Sequence, residues 1–359
     1  MNTMNADPPI KIALSGNPEA TEVVLPGIVE PSGLQIRRRV LSGPAAGQAL
    51  VRVEASGVSF AEKGMRRGRY PGQPKFPFVP GYDLVGTVVA VGGGVSPSLV
   101  GKRIAALTKI GGWASHVLLQ AEDLMPVPEG VDPAEAETLV VSGITAWQML
   151  HRTARIRRGQ TILVHGANGG VGTTLVQLAR HAGVRVIGTA SPRHHDALRK
   201  MGVEPLDYND ADLAKSLRRL APQGADAVFD HVGGESAVTS FKMLAPGGTL
   251  VCYGTASKLD DSASMIGVFL VIITRLAWWS FLPNGHKAVF YNIWAGHTVG
   301  RAAFRARLRQ DFGQVVALLT QGVLTPQVAA RFPLEQASAA MELAESRTAY
   351  GKVVLMPGT

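Results

Sequence analysis

The chain has 359 residues, 46% of them hydrophobic and 18% charged, which suits two packed domains and excludes a disordered segment. Its 36 Lys and Arg against 27 Asp and Glu leave a net charge of +9, but the basic residues are dispersed (Arg37–Arg39, Arg66–Arg69, Arg155–Arg158, Arg218–Arg219, Arg301–Arg309) without aromatic interleaving, so attraction of anionic ligands is expected and nucleic acid is not. A single cysteine, Cys252, excludes a disulfide framework and a cysteine-rich zinc site, and the polar first nine residues lack the apolar core of a secretory signal, so a cytoplasmic setting is expected.

In chain order, the first 135 residues alternate short β-rich runs with turn clusters. Ala49–Glu54, Gly86–Val91 and Ser115–Leu119 are such runs; Pro71-Gly72, Pro80-Gly81 and Gly92–Gly94 punctuate them. That texture predicts a barrel-like β domain. From Glu137 the pattern changes to alternating helix and strand. Strands are predicted near 161–165, 184–189, 226–230 and 248–253, with helices at 137–152, 170–182, 193–201, 211–220 and 235–244. This is the signature of a doubly wound parallel sheet. Val323–Pro333 and Lys352–Met356 return to β character, so residues 1–138 and 299–359 are read as one domain and 139–298 as the other.

Residues 161–172, TILVHGANGGVG, say most about function. The apolar run Ile162, Leu163, Val164 reads as a buried strand, and Leu175, Leu178 and Ala179 recur at helical spacing beyond the glycines. A strand, a tight glycine turn and a helix N-terminus present outward-pointing amides and little side chain, which is what a dinucleotide diphosphate needs. A turn that binds nothing is the bland alternative.

In this fold the end of the second strand, about 20 residues past the glycines, selects the cofactor through an acidic residue or its absence. Here Ser191 is followed by Pro192-Arg193-His194-His195, and no carboxylate occurs until Asp196. A hydroxyl, a guanidinium and imidazoles suit the extra phosphate of NADPH rather than the bare ribose of NADH. A solvated basic loop is the competing reading.

Met265–Leu282 (MIGVFLVIITRLAWWSFL) is apolar apart from Thr274, Arg275 and Ser280. Its length is marginal for a membrane span, and Arg275 near its middle would be costly in lipid. The expectation is a buried helix at a substrate cleft or subunit contact, with peripheral membrane attachment as the alternative. The aromatic stretch Phe281–Trp294 that follows is read as covering a flat substrate or as forming a subunit contact.

Several motifs in the right order, namely Val79-Pro80-Gly81-Tyr82-Asp83-Leu84-Val85-Gly86, Gly143-Ile144-Thr145-Ala146-Trp147, Gly159, His165–Gly172 and Tyr350-Gly351-Lys352-Val353-Val354-Leu355, resemble the medium-chain dehydrogenase/reductase superfamily. More narrowly the chain resembles its zinc-free quinone oxidoreductase branch, over about residues 45 to 357. The resemblance implies an α/β fold, a doubly wound Rossmann sheet plus a β-rich GroES-like barrel, and a homodimer. Where zinc relatives have Cys-His-x-Asp this chain has Ser59-Phe60-Ala61-Glu62; where they have Gly-His-Glu it has Gly81-Tyr82-Asp83; and the region of their third ligand is Val140–Gly143. No thiolate or imidazole set is arranged for a metal, so none is expected. Without a Lewis acid, hydride addition requires an acceptor that spreads the developing charge, such as a quinone or α,β-unsaturated carbonyl.

By resemblance Ala167, Asn168, Gly169, Gly170, Val171 and Gly172 would line the diphosphate, and Ser191, Arg193, His194 and Tyr208 would surround the adenosine phosphate, with His194 where relatives often carry Lys. Thr145, Val232 in the Val232–Gly234 turn, and Gly254 in Cys252–Thr255 fall at the nicotinamide end, and Lys352 fits a phosphate or ribose contact. Ser59 and Tyr70 are the expected donors to a substrate oxyanion. Tyr70 packing on Pro71, and ordinary turn or cap duty elsewhere, are the rival readings. Glu62 is expected to be structural, His165 to pack, and His231 to have a possible polar role near the nicotinamide. Two other functions compete with a reductase: a non-redox cyclase of natural-product biosynthesis on the same scaffold, and a membrane-associated, non-catalytic adaptor.

Overall fold

A computed structural model describes residues 18–258 and 265–358. Its centre is a six-stranded sheet built from β1 (Thr161–His165), β2 (Arg185–Ala190), β3 (Glu204–Asp207), β4 (Ala225–Asp230), β5 (Leu244–Cys252) and β6 (Lys287–Phe290). All neighbours run parallel, in the order β3-β2-β1-β4-β5-β6. The order reverses between β1 and β4, where a crevice opens beyond the strand ends. Alternation within β1 explains why both faces are covered. Ile162 and Val164 join a core with Leu175, Leu178 and Ala179 of the following helix, α1 (Gly170–His181), while Leu163 faces a second core with Ile187, Val228 and Leu250.

Besides an antiparallel pair of strands at 19–24 and 35–40, a seven-stranded sheet has strands in the order 328–333, 352–356, 48–58, 83–91, 103–107, 125–126, with 116–120 also pairing to 48–58. Its pairings are antiparallel except 328–333 with 352–356. The chain thus returns its C-terminus to the N-terminal β domain, which resembles the GroES-like half of the expected architecture.

Two strands escape the hydrophobic pattern. β3 is short and contains Pro205, and β6 lies inside the aromatic stretch that reads as an insertion. The single helix expected over 137–152 is three pieces, at Pro133–Thr138, Val141–Trp147 and Gln148–Thr153. Over its described residues, helix α2 (Met265–Phe281) is covered on one face only within this chain. Ile272, Leu276 and Trp279, spaced on one face, pack beside Phe241 and Phe290, whereas Leu270, Val271, Ile273, Trp278 and Phe281 are exposed on the other. Among the described residues no helix is long and apolar enough to cross a membrane.

Candidate cofactor and substrate site

The glycines after β1 are fixed by sterics. Gly166 has φ of +64°, and a Cβ there would lie 2.5 Å from the His231 ring. A Cβ on Gly172 would lie 2.2 Å from the Gly166 carbonyl oxygen, so helix α1 can approach the turn only with glycine at this position. The first bond across the helix start is donated by the Thr173 amide to the Gly169 carbonyl at 2.8 Å. The amides of Gly170, Val171 and Gly172 precede it and have no acceptor within the helix, and no side chain caps the end. Three donors at a positive helix end therefore face the crevice, which fits a diphosphate.

The loop is held from the other domain. The Gly351 amide donates to the Asn168 carbonyl at 2.9 Å, and the Asn168 side-chain amide reaches Ala349 O at 3.4 Å. Asn168 is thus an anchor of the loop, with its polar groups turned towards the C-terminal strand.

At the end of β2, Arg193 donates through Nε to Ser191 Oγ at 3.3 Å on the surface, and Tyr208, just past β3, is 51% exposed. These three are solvent-accessible at the ends of the paired strands β2 and β3. His194 is not. Its ring is buried, 5.7 Å from that of Tyr350, and burial followed by repulsion from Arg193 and His195 pushes its pKa below the ordinary value. The lowered pKa disfavours the charged imidazole that a phosphate contact would use, and the buried Nε2 has no hydrogen-bond partner among the described residues.

Beyond the ends of β4 and β5 lies a platform of two stitched turns. Asp230, at the end of β4, accepts from the amides of Val232 (2.7 Å) and Gly233 (2.9 Å) through one oxygen, and from the Ser236 and Ser240 hydroxyls (2.8 Å each) through the other. Burial opposes its charge, yet its surroundings hold its pKa below the usual carboxylate value. The Ala256 and Ser257 amides then donate to His231 O and Val232 O. A Cβ on Gly254 would lie 2.5 Å from His231 O, so this residue is glycine because the two turns touch. Thr145 is buried in the helix that begins at Val141. His165 is fully engaged in packing, bonded to Thr189 Oγ1 (3.1 Å) and Ser240 Oγ (3.0 Å). His231 wedges under Gly166, its pKa lowered chiefly by burial.

Lys352 corrects an expectation. Instead of pointing at a phosphate or ribose, its ammonium is buried and donates to Asp83 Oδ2 and Glu137 Oε1, each at 2.8 Å. Gly57 makes the space, since a Cβ there would meet Lys352 Cε at 2.2 Å. The triad ties the barrel strand 83–91, the connecting helix at 133–138 and the last strand together. Burial works against the ammonium, but the two carboxylates outweigh it and raise its pKa; burial and the neighbouring Asp83 raise that of Glu137.

A cluster of side chains gathers at the start of the helix Phe60–Arg66. Ser59 caps the helix Phe60–Arg66 in a capping box: its Oγ accepts from Ala61 N at 3.1 Å and donates to Glu62 Oε2, while its amide donates to the same oxygen at 2.8 Å. The other oxygen of Glu62 accepts the Tyr82 amide at 2.7 Å. Burial lifts the Glu62 pKa to about 7, against the Ser59 donation and with help from the Asp83 charge. Tyr70 and Tyr82 share a hydroxyl–hydroxyl bond of 2.7 Å, and the Trp294 indole N–H donates to the Tyr82 hydroxyl. The Tyr82 ring meets those of Tyr70 and Trp294 edge-on, with centroids 5.8 Å away in both cases. Tyr70 is therefore bonded as well as packed, and the aromatic stretch after α2 contributes Trp294 to this cluster. Tyr82, Asp230, Asp83 and Glu137 were not foreseen as parts of the site, and Trp294 only as the end of the aromatic stretch read as covering a substrate. Asp230, at the end of a buried strand and three residues before Gly233-Gly234, offered a local signal; the pairing of Trp294 with Tyr82, 212 residues away, offered none.

Residues 45–129 match the family described as Alcohol dehydrogenase GroES-like domain, and residues 202–355 that described as Zinc-binding dehydrogenase. The second match begins downstream of Ser59, Gly81–Asp83 and Val140–Gly143. The Synaptic vesicle membrane protein VAT-1 homolog of Rattus norvegicus is 34% identical over 333 residues, covering 90% of this chain and 80% of that protein. A Pseudomonas syringae quinone oxidoreductase structure aligns with a TM-score of 0.81 at 26% identity, covering 94% of this chain and 100% of that one. A mycobacterial protein solved in complex with NADPH aligns with a TM-score of 0.80 at 29% identity, with coverage of 94% and 100%. The chain belongs to the medium-chain dehydrogenase/reductase superfamily. Within it, the chain falls in the zinc-free quinone oxidoreductase branch, on a fold that binds nicotinamide cofactors and carries oxidoreductase chemistry.

Proposed function

We propose that the protein is a zinc-independent reductase that uses NADPH to reduce a quinone or an α,β-unsaturated carbonyl. The observation that carries this reading is the open amide cradle at Gly170–Gly172, with Ser191, Arg193 and Tyr208, and no carboxylate, at the end of the neighbouring strand. Backbone amides suit the diphosphate, and the guanidinium suits a 2′-phosphate. NADPH, when bound, supplies the hydride.

The donor set around Ser59 fits a conjugated acceptor. Ser59, Tyr82 and the Val140–Gly143 segment stand where zinc relatives place their ligands, and they offer hydroxyls rather than thiolate or imidazole. Such groups stabilise an oxyanion by hydrogen bonding, which suffices when an enolate or quinol delocalises the charge. Ser59 and Tyr70 are assigned to that oxyanion. Burial raises the Tyr70 pKa to about 12, so its hydroxyl stays protonated across the working range. We further propose a cytoplasmic homodimer without stoichiometric metal.

The test is NADPH oxidation across quinones, alkenals and cyclic enones, alongside metal analysis and sedimentation. Turnover of at least one acceptor class by zinc-free protein is expected. Bound NADPH with no oxidation of any acceptor overturns the redox reading in favour of a cyclase, and one zinc per chain overturns the metal-free one.

A further inference from the structure

Glu62 is a buried carboxylate that the reading above leaves unused, and unlike the likewise buried Glu22 and Asp311, which are paired with arginines, it is held by hydrogen bonds to Ser59 and Tyr82. A serine hydroxyl has two acceptor lone pairs and one hydrogen. In Ser59, one lone pair is taken by the Ala61 amide and the hydrogen is spent on Glu62. As long as Glu62 is ionised, Ser59 has nothing to give a substrate. If Glu62 holds a proton, the bond reverses: the carboxyl donates to the second lone pair, both lone pairs are filled inside the capping box, and the hydroxyl hydrogen must point outward.

We propose that Glu62 is a positioning and proton-supplying residue for the reduction, acting through Ser59, which delivers the proton to the substrate oxyanion. The assignment rests on the reductase reading given above. The balance is closed. The hydride and its electron pair form the new C–H bond of the acceptor, and the oxidised nicotinamide leaves as NADP⁺. The negative charge collects on the carbonyl oxygen, where the Ser59 Oγ–H bond breaks as the product O–H bond forms. Ser59 regains its hydrogen from the Glu62 carboxyl, and the resulting carboxylate is reprotonated from water by way of Ser59, which is partly exposed while Glu62 is not.

The surroundings support a carboxyl that holds its proton near neutrality. Glu62 is completely buried and accepts three hydrogen bonds, and no cation reaches it. From the strand 83–91 it faces the Asp83 charge, itself neutralised on its far side by Lys352, and from the aromatic cluster it faces the neutral phenols of Tyr70 and Tyr82. Burial therefore dominates, and the pKa rises to about 7.

The experiment is the pH profile of kcat at saturating NADPH with the best acceptor found, for wild type, Glu62→Gln, Ser59→Ala and Ser59→Thr. Wild-type kcat is expected to fall above about pH 7. Glu62→Gln, whose amide donates permanently to Ser59, should lose that limb and give a flat profile. Ser59→Ala should lower kcat by about 100-fold, the scale of acid–base assistance, and Ser59→Thr should restore both rate and limb. Infrared difference spectra of wild type against Glu62→Gln provide a readout without turnover: a protonated carboxyl stretch present below pH 7 and lost above it. An unchanged alkaline limb in folded Glu62→Gln, or in Ser59→Ala should the first variant not fold, overturns this assignment alone. Absence of that infrared band at pH 6 also overturns it. Lack of turnover with every acceptor overturns the reductase reading and this assignment with it.

Discussion

The two halves of the site are made of different materials. The cradle at 166–172 is backbone, shaped by glycines whose missing side chains let the helix end approach the turn. The cluster around Ser59 is side chain, with a buried acid, two tyrosines and a tryptophan drawn from four separate stretches of sequence. A backbone site tolerates no added atom where the chain touches itself, but asks little of its neighbours' identity. A side-chain site depends on each partner's chemistry, and its protonation can change with pH.

The sharpest break between them is expected from Gly172→Ala. The new methyl would press on Gly166 O and on the Ala167 backbone at 2.9 Å, and neither can yield, so NADPH affinity should drop at least 100-fold in a fluorescence titration and folding should lose about 2 kcal/mol or more. Gly169→Ala, whose Cβ would find its nearest neighbour at 3.4 Å, is the matched control and should retain most binding.

Next in size is Lys352→Met, which leaves two carboxylates buried together without their cation. Removing one partner of a buried ion pair costs about 3–5 kcal/mol, to be read as a lowered denaturation midpoint. A loss of NADPH affinity without loss of stability would instead return Lys352 to the cofactor.

Arg193→Ala should weaken NADPH by roughly tenfold and leave NADH unchanged, since one charge-assisted contact contributes about 1.5–3 kcal/mol less the solvation regained at an exposed site. Equal weakening of both cofactors would place the guanidinium elsewhere.

The remaining effect concerns stability against pH. The Glu62 pKa is raised from 4.5 to about 7 on folding, so the folded state binds the proton more tightly than the unfolded one. The stabilisation this gives is complete below pH 4.5 and is lost as the pH climbs through 7. Denaturant titrations of wild type over that window should show a decline that Glu62→Gln lacks.

How much was visible in the sequence follows from the same contrast. Apolar alternation and glycine spacing are local signals, and they located β1, β2, β4, β5 and the cradle to within a few residues. β3 and β6 lacked such signals because sheet-edge strands need less apolar sequence. The role of Lys352 depends on Asp83, Glu137 and the space beside Gly57, contacts that span the whole chain, and the burial of His194 depends on Tyr350. Residue type alone marked both as phosphate ligands. The apolar outer face of α2 was invisible for a different reason: composition reports how greasy a helix is, not which of its sides finds a neighbour.

Gly351 has φ of +96°, and a Cβ there would sit 1.9 Å from Gln327 O, so the chain at this point is as tightly threaded as the cradle it touches. Through the bond from Gly351 to Asn168, the closing strand of the barrel grips the rim that would receive the diphosphate. The two lobes are therefore coupled at the coenzyme's own seat, and a swing that widens the crevice must tug on that rim.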